Sequence, residues 1–110
     1  MGASNLPEEV RTLIFAHIVS VAQIELLLLL RGEPTRAFTS AGVARALRIG
    51  EPAAAAELEH FVEIGFLARE EGGFRFAPAS SELASAISSL ASAYRTYPVA
   101  IVSLVFSRPP

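Results

Sequence analysis

The chain has 110 residues, of which 52% are apolar, so it is long enough to form one domain with a packed core. The absence of cysteine excludes disulfide bonds, thiolate zinc sites and cysteine nucleophiles. All nine basic residues are arginine, all eleven acidic residues are glutamate, and the net charge of −2 is unusual for a protein that mainly neutralises phosphate groups.

The first third of the chain predicts two helices. Asn5 is a candidate cap for the first helix, and Pro7 suits its first turn. Apolar residues and one histidine then recur at helical spacing, namely Val10, Leu13, Ile14, His17, Ile18 and Val21. Ser20 is expected to cap a second helix that runs to Leu30.

The segment from Leu13 to Leu30 is apolar and long enough to cross a bilayer as one helix. Glu25 opposes this interpretation, because a glutamate near the middle of a membrane costs about 2–3 kcal/mol. We therefore expect a buried helix pair and no membrane partner. The polar stretch after Met1 lacks a basic cluster, which favours a cytoplasmic protein without a secretory signal.

The middle of the chain predicts a short strand followed by two helices. Phe38 suits the strand, and Thr39 or Ser40 can cap the helix that follows it. Pro52 is well placed as the first residue of the next helix, and Gly65 can end that helix in a left-handed conformation. The positions expected to face inward are Val43, Ala44 and Leu47 in the first helix and Ala55, Leu58, Phe61 and Val62 in the second.

A β-hairpin is predicted after Gly65. Residues 66–69 have the composition of a strand, and residues 74–77 alternate apolar and polar side chains as a returning strand does. The Gly72-Gly73 pair within the connecting turn is a strong hairpin signal.

The last third predicts a long helix and an apolar segment. Ser80 or Ser81 can cap the helix, whose inner stripe is expected to contain Leu83, Ile87, Leu90 and Tyr94. Pro98 is expected to break or kink it, and residues 99–106 lack any charge.

Residues 58–69, followed by 72–76, resemble the third helix and wing of winged helix-turn-helix bacterial transcriptional regulators, of the MarR-like and related families. The resemblance covers about residues 20–78. It implies a mainly α fold with a small β-hairpin, a winged helix-turn-helix with extra N- and C-terminal helices. On this interpretation residues 1–110 form a single domain, and terminal helices at 7–19 and 80–106 serve packing or dimerisation.

The resemblance implies that the outer face of residues 52–64 is a recognition surface, and that Arg75 lies on the wing. The sequence departs from that family because no arginine or lysine lies between Arg48 and Arg69, where four glutamates occur instead. DNA phosphates would meet carboxylates there, which is unfavourable. By helical spacing, the outward positions are Ala53, Ala56, Glu57, His60 and Glu63.

Three interpretations of this acidic helix remain open: a solvated face, a surface for a basic protein partner, or a helix whose flanks hold DNA. In the last case, the candidate nucleic-acid-binding residues are Arg36, Thr39, Ser40, Arg45, Arg48, Arg69 and Arg75. We expect either a transcriptional regulator that binds DNA through these flanks or a protein-interaction module.

The terminal segments contain more apolar side chains than a winged-helix core of this size should absorb, which favours a homodimer with two-fold symmetry. The alternative is that both terminal helices only cover their own domain. The candidate dimer residues are Leu13, His17, Tyr94, Tyr97, Ile101, Val102, Val105 and Phe106.

No arrangement of residues indicates catalysis, and we expect a non-enzymatic protein. A lone histidine on an apolar stripe, such as His17, is most often a core residue, and His60 is expected to be exposed. Without a third ligand at suitable spacing, neither histidine predicts a metal site. No phosphate-binding loop, cofactor motif or small-molecule site is evident.

Overall fold

The computed structural model describes residues 6–107, which are mainly helical with one antiparallel two-stranded hairpin. Within these residues the elements are α1 (Glu8–His17), α2 (Val21–Gly32), α3 (Ser40–Leu47), α4 (Glu51–Glu63), β1 (Leu67–Glu70), β2 (Gly73–Phe76), α5 (Ser81–Thr96) and α6 (Pro98–Phe106). The chain divides into two compact units. The hairpin unit is Glu25–Ser80, and the terminal unit contains the described residues up to Ile24 and from Ser81 onward.

The terminal unit is built from three helices that pack on one another. In it α1 contacts both α5 and α6, and α5 contacts α6. The predicted helix break at Pro98 is confirmed, because α5 ends at Thr96 and α6 begins at Pro98. The buried side chains of these helices are Val10, Leu13 and Ile14 on α1, Ile87, Leu90 and Ala93 on α5, and Ile101, Leu104 and Val105 on α6.

The break between α1 and α2 is held by side-chain hydrogen bonds. The Gln23 backbone N–H donates to Ser20 Oγ at 3.2 Å, which confirms the predicted cap. The Val19 N–H donates to Gln23 Oε1 at 2.7 Å, so this buried amide also satisfies a backbone group at the break. The predicted cap at Asn5 lies outside the described residues, and Pro7 is the residue before α1.

In the hairpin unit, α3 and α4 pack against each other. Thr39 caps α3, since its Oγ1 accepts from the Gly42 N–H at 3.0 Å. The start of α4 was predicted one residue late, because the helix begins at Glu51 and Pro52 occupies its second position. Its buried residues are Ala54, Leu58 and Phe61, whereas Ala55 and Val62 are only half-buried.

The hairpin has the predicted order, and the ends of its strands differ by one residue from the prediction. Gly65 takes the expected left-handed conformation, with φ of 86°. The Phe66 N–H donates to the Phe61 carbonyl at 2.8 Å, so Phe66 still closes the helix and β1 begins one residue later than predicted. Glu70 pairs with Gly73, which moves the start of β2 to Gly73.

At the predicted short strand, Phe38 forms an isolated β-bridge beside β2. Its N–H donates to the Phe74 carbonyl, and the Phe74 N–H donates to the Phe38 carbonyl, both at 2.8 Å. Since Phe74 also pairs with Arg69 of β1, the extended segment at Phe38 occupies the second edge of β2. The order in the hairpin unit is therefore helix, β-bridge, two helices and hairpin.

None of the helices within residues 6–107 is by itself both long enough and apolar enough to span a bilayer. As a bent pair, α1 and α2 pass that test by length and composition alone.

Candidate interaction surface

The exposed side of α4 contains small and acidic residues. Helical periodicity leaves Ala53, Ala56, His60 and Glu63 exposed and Glu57 half-buried, while Leu58 and Phe61 anchor the opposite side. The outward positions were thus predicted correctly except for the partial burial of Glu57. Phe61 stacks on Phe66, with ring centroids 5.2 Å apart, and this contact ties the end of α4 to the start of the hairpin.

The turn of the hairpin is also acidic. Glu71 and Gly72 form the two-residue connection between Glu70 and Gly73, and Gly72 has a φ of 90° that favours glycine. Both glutamates are exposed. The tip of the predicted wing therefore presents carboxylates to solvent.

The arginines of the hairpin are paired with glutamates of the same unit. Arg69 on β1 forms an ion pair with Glu59 on α4. Arg75 Nε on β2 donates to Glu70 Oε1 at 2.6 Å. Pairs at this level of exposure add little to stability, but they neutralise the guanidinium groups that a phosphate contact would need.

Arg36 is engaged locally as well. Its Nη1 lies 3.1 Å from Glu33 Oε2, and its guanidinium carbon lies 4.4 Å from the centre of the Phe38 ring. Of the two polar residues in the predicted DNA-binding set, Thr39 caps α3, and the Ser40 Oγ donates to Glu51 Oε2 at 3.4 Å. The contacts of Arg36, Thr39 and Ser40 thus stabilise the loop before α3 and the first turn of α3.

Arg45 and Arg48 differ from the other candidate arginines. Both are exposed, and neither forms an ion pair with any residue in 6–107. Arg48 ends α3 in the left-handed conformation, with φ of 60° and ψ of 47°. Within the described residues it is the only residue other than glycine with positive φ. The structure therefore separates these two from the five candidates that have structural contacts.

The charge of the hairpin unit is negative. Residues 25–80 contain eight glutamates and six arginines, which gives this unit a net charge of −2. On α4 and the hairpin turn, Glu63 and Glu71 are exposed and form no ion pair within the described part of the chain. This arrangement can attract cationic groups and repel phosphates.

Sequence patterns did not reveal the pairing of Glu59 with Arg69 or of Glu70 with Arg75. The first joins a helix to a strand, and periodicity within one element contains no information about such a contact. The second joins Glu70 of β1 to Arg75 of β2, and the alternation of residues within one strand likewise contains no information about a side-chain contact with its partner strand. In residues 6–107 no group of three histidine, aspartate or glutamate side chains could hold a metal ion.

The predicted dimer residues of the terminal unit fall into two groups. Leu13, Ile101 and Val105 are buried within the chain itself. The others are at least partly accessible: His17, Tyr94 and Val102 are half-buried, and Tyr97 and Phe106 are exposed.

No protein-family model, curated protein or solved structure matches this chain.

Proposed function

We propose that this protein is a non-enzymatic winged-helix module that binds a basic segment of another protein through α4 and the hairpin turn. The order of elements in the hairpin unit supports the winged-helix assignment, and so does the position of Phe38 on the second edge of β2. In this assignment α3 and α4 form the helix-turn-helix, and β1 and β2 form the wing.

The observation that carries the proposal is the charge on the two elements that a winged helix places nearest to its target. On α4 the exposed Glu63 has no ion-pair partner among the described residues, and on the hairpin turn the same holds for Glu71. The neighbouring arginines, Arg69 and Arg75, are already paired. A polyphosphate target would be repelled here, whereas a lysine- or arginine-rich segment would be attracted.

The small exposed residues of α4 also support the proposal that the target is a protein. Ala53 and Ala56 are exposed and extend little beyond the helix backbone. A partner chain can therefore approach the helix closely without displacing long side chains. Since ordering long side chains on binding costs free energy, such a face is well suited to docking a peptide.

A binding titration with matched charge variants tests this proposal. The probe is a fluorescein-labelled peptide of consecutive arginines, and the readout is fluorescence anisotropy at low and moderate salt. We expect Glu63→Lys combined with Glu71→Lys to weaken binding at least about tenfold. The control combines Glu8→Lys with Glu82→Lys, which makes the same change in net charge at two exposed glutamates of the terminal unit.

Equal losses in the two double variants would contradict the proposal, because net charge alone would then explain binding. Binding that fails to weaken in the α4 and hairpin variant would contradict it as well. Circular dichroism of each variant confirms that the fold is retained.

The second candidate function is a DNA-binding transcriptional regulator. The specific observation in its favour is the pair Arg45 and Arg48, which remain available for phosphate contacts. It ranks below the protein-binding function because neither arginine lies on α4 or on the hairpin.

A further inference from the structure

The last helix of the terminal unit is apolar on two sides. Ile101, Leu104 and Val105 are buried, while Val99 and Phe106 on the other side are 78% and 74% exposed. No charged residue occurs in α6. Apart from Ser103, the exposed side of α6 is apolar, and an exposed apolar helix face is suited to an interface.

The exposed side of α6 forms one ridge. Val99, the half-buried Val102 and Phe106 follow at spacings of three and four residues, which places them on the same helix face. At 1.5 Å per residue, this ridge is about 10 Å long. We call these three residues the α6 ridge.

The same unit contains a groove between α1 and α5 with a volume of about 380 Å³. Four of its lining residues are apolar, namely Leu13 and Ala16 from α1 and Leu83 and Ala86 from α5. The remaining lining residues are Glu9, Thr12, His17 and Glu82. The groove can accept apolar side chains of the size found on the α6 ridge.

We propose that two copies of this chain associate by docking the α6 ridge of each copy into the α1–α5 groove of the other. Both features belong to the terminal unit, so a two-fold axis would form the contact twice. This reciprocity matters because a stable interface buries roughly 800 Å² per partner, which is more than one nine-residue helix can supply.

The distribution of charge argues for this occupant. The groove carries the exposed carboxylates of Glu9 and Glu82, and an uncharged helix meets them without like-charge repulsion. The exposed face of α4 carries Glu63 and would be repelled by the same groove. The inference is independent of the proposed function, which concerns the hairpin unit.

Sedimentation velocity across a wide concentration range tests the association. We expect the wild-type chain to sediment at twice the monomer mass. Val99→Glu and Phe106→Glu should each raise the dimer Kd at least about tenfold, because a carboxylate would enter an apolar contact beside Glu9 and Glu82. The matched control is Val19→Glu, the same change at a valine that is 60% exposed and lies outside both the ridge and the groove.

A variant of the groove tests the geometry. Ala16 is exposed and lines the groove, so Ala16→Glu should dissociate the dimer without disturbing the core. Mixing the Ala16→Glu and Phe106→Glu chains should partly restore the dimer, since one of the two reciprocal contacts is then wild type on both sides.

Three outcomes would overturn the inference: a wild-type chain that is monomeric at every concentration, dissociation by Val19→Glu equal to that by Val99→Glu, or a dimer unaffected by Ala16→Glu. The last result would instead indicate an interface formed by two α6 helices. Circular dichroism establishes that each variant is folded.

Discussion

Phe38 and Phe74 exchange two backbone hydrogen bonds, each 2.8 Å long, across the second edge of β2. This pairing brings the loop before α3 against the hairpin and determines which residue can occupy position 73. A Cβ atom on Gly73 would lie 2.1 Å from the Phe38 carbonyl oxygen, and Gly73 has a φ of 135°. Only glycine is compatible with both conditions.

Replacement of Gly73 by alanine should therefore be among the most damaging single substitutions in the hairpin unit. We expect Gly73→Ala to lower the free energy of unfolding by at least about 3 kcal/mol, from backbone strain and from the loss of the Phe38–Phe74 pairing. Urea unfolding followed by circular dichroism measures the loss. Gly32→Ala is the control, because nothing lies within 4 Å of a Cβ there and the residue ends α2, so it should leave the free energy of unfolding unchanged or raise it by up to about 1 kcal/mol. Similar losses at both positions would show that Phe38 does not restrict Gly73.

Replacement of Arg48 by glycine should stabilise the protein, in contrast to the replacement of Gly73 by alanine. The left-handed conformation of Arg48 is one that glycine adopts at lower cost, so Arg48→Gly should raise the free energy of unfolding by about 0.5–1 kcal/mol. Arg45 lies inside α3, where the same substitution should lower it by about 1 kcal/mol. Urea unfolding of the Arg48→Gly and Arg45→Gly variants, measured at the same protein concentration, tests both expectations. A loss of stability in both would contradict the assignment of Arg48 as a helix end.

DNA binding distinguishes the two candidate functions. If α4 and the hairpin turn repel phosphates, the wild-type chain should not shift random duplex DNA at low salt, even at tens of micromolar protein. Glu63→Lys combined with Glu71→Lys should then create a measurable shift. A mobility-shift titration measures DNA binding by the wild-type chain and by the double variant.

A wild-type shift that disappears in a chain carrying Arg45→Ala and Arg48→Ala would favour the transcriptional regulator. In that case the shift should also weaken steeply as salt rises, since phosphate contacts release counterions.

Local chemistry accounts for the features that were predicted correctly. Ser20 and Thr39 cap helices because a short hydroxyl side chain can reach a backbone N–H three residues on. Pro98 starts a new helix because proline lacks the N–H that a continuing helix requires. The apolar spacing of α4 likewise identified the exposed Glu63, since side chains return to the same face of a helix about every 3.6 residues.

The errors arose where distant segments meet. Gly73 was assigned to the turn because two adjacent glycines are typical of turns, whereas the structure places it in β2, against Phe38. The burial of Ile101 and the exposure of Phe106 could not be predicted separately from the sequence, because both are apolar residues of a helix without any charged residue.

The amino-acid sequence by itself determined the kinds of elements, most of their ends to within two residues, and the acidic character of α4, because each depends on residues within a few positions of one another. Only the tertiary structure decided which arginines are neutralised and which apolar residues of the terminal unit stay exposed. Both depend on contacts between residues far apart in the chain, and the one-dimensional pattern contains no direct record of such contacts.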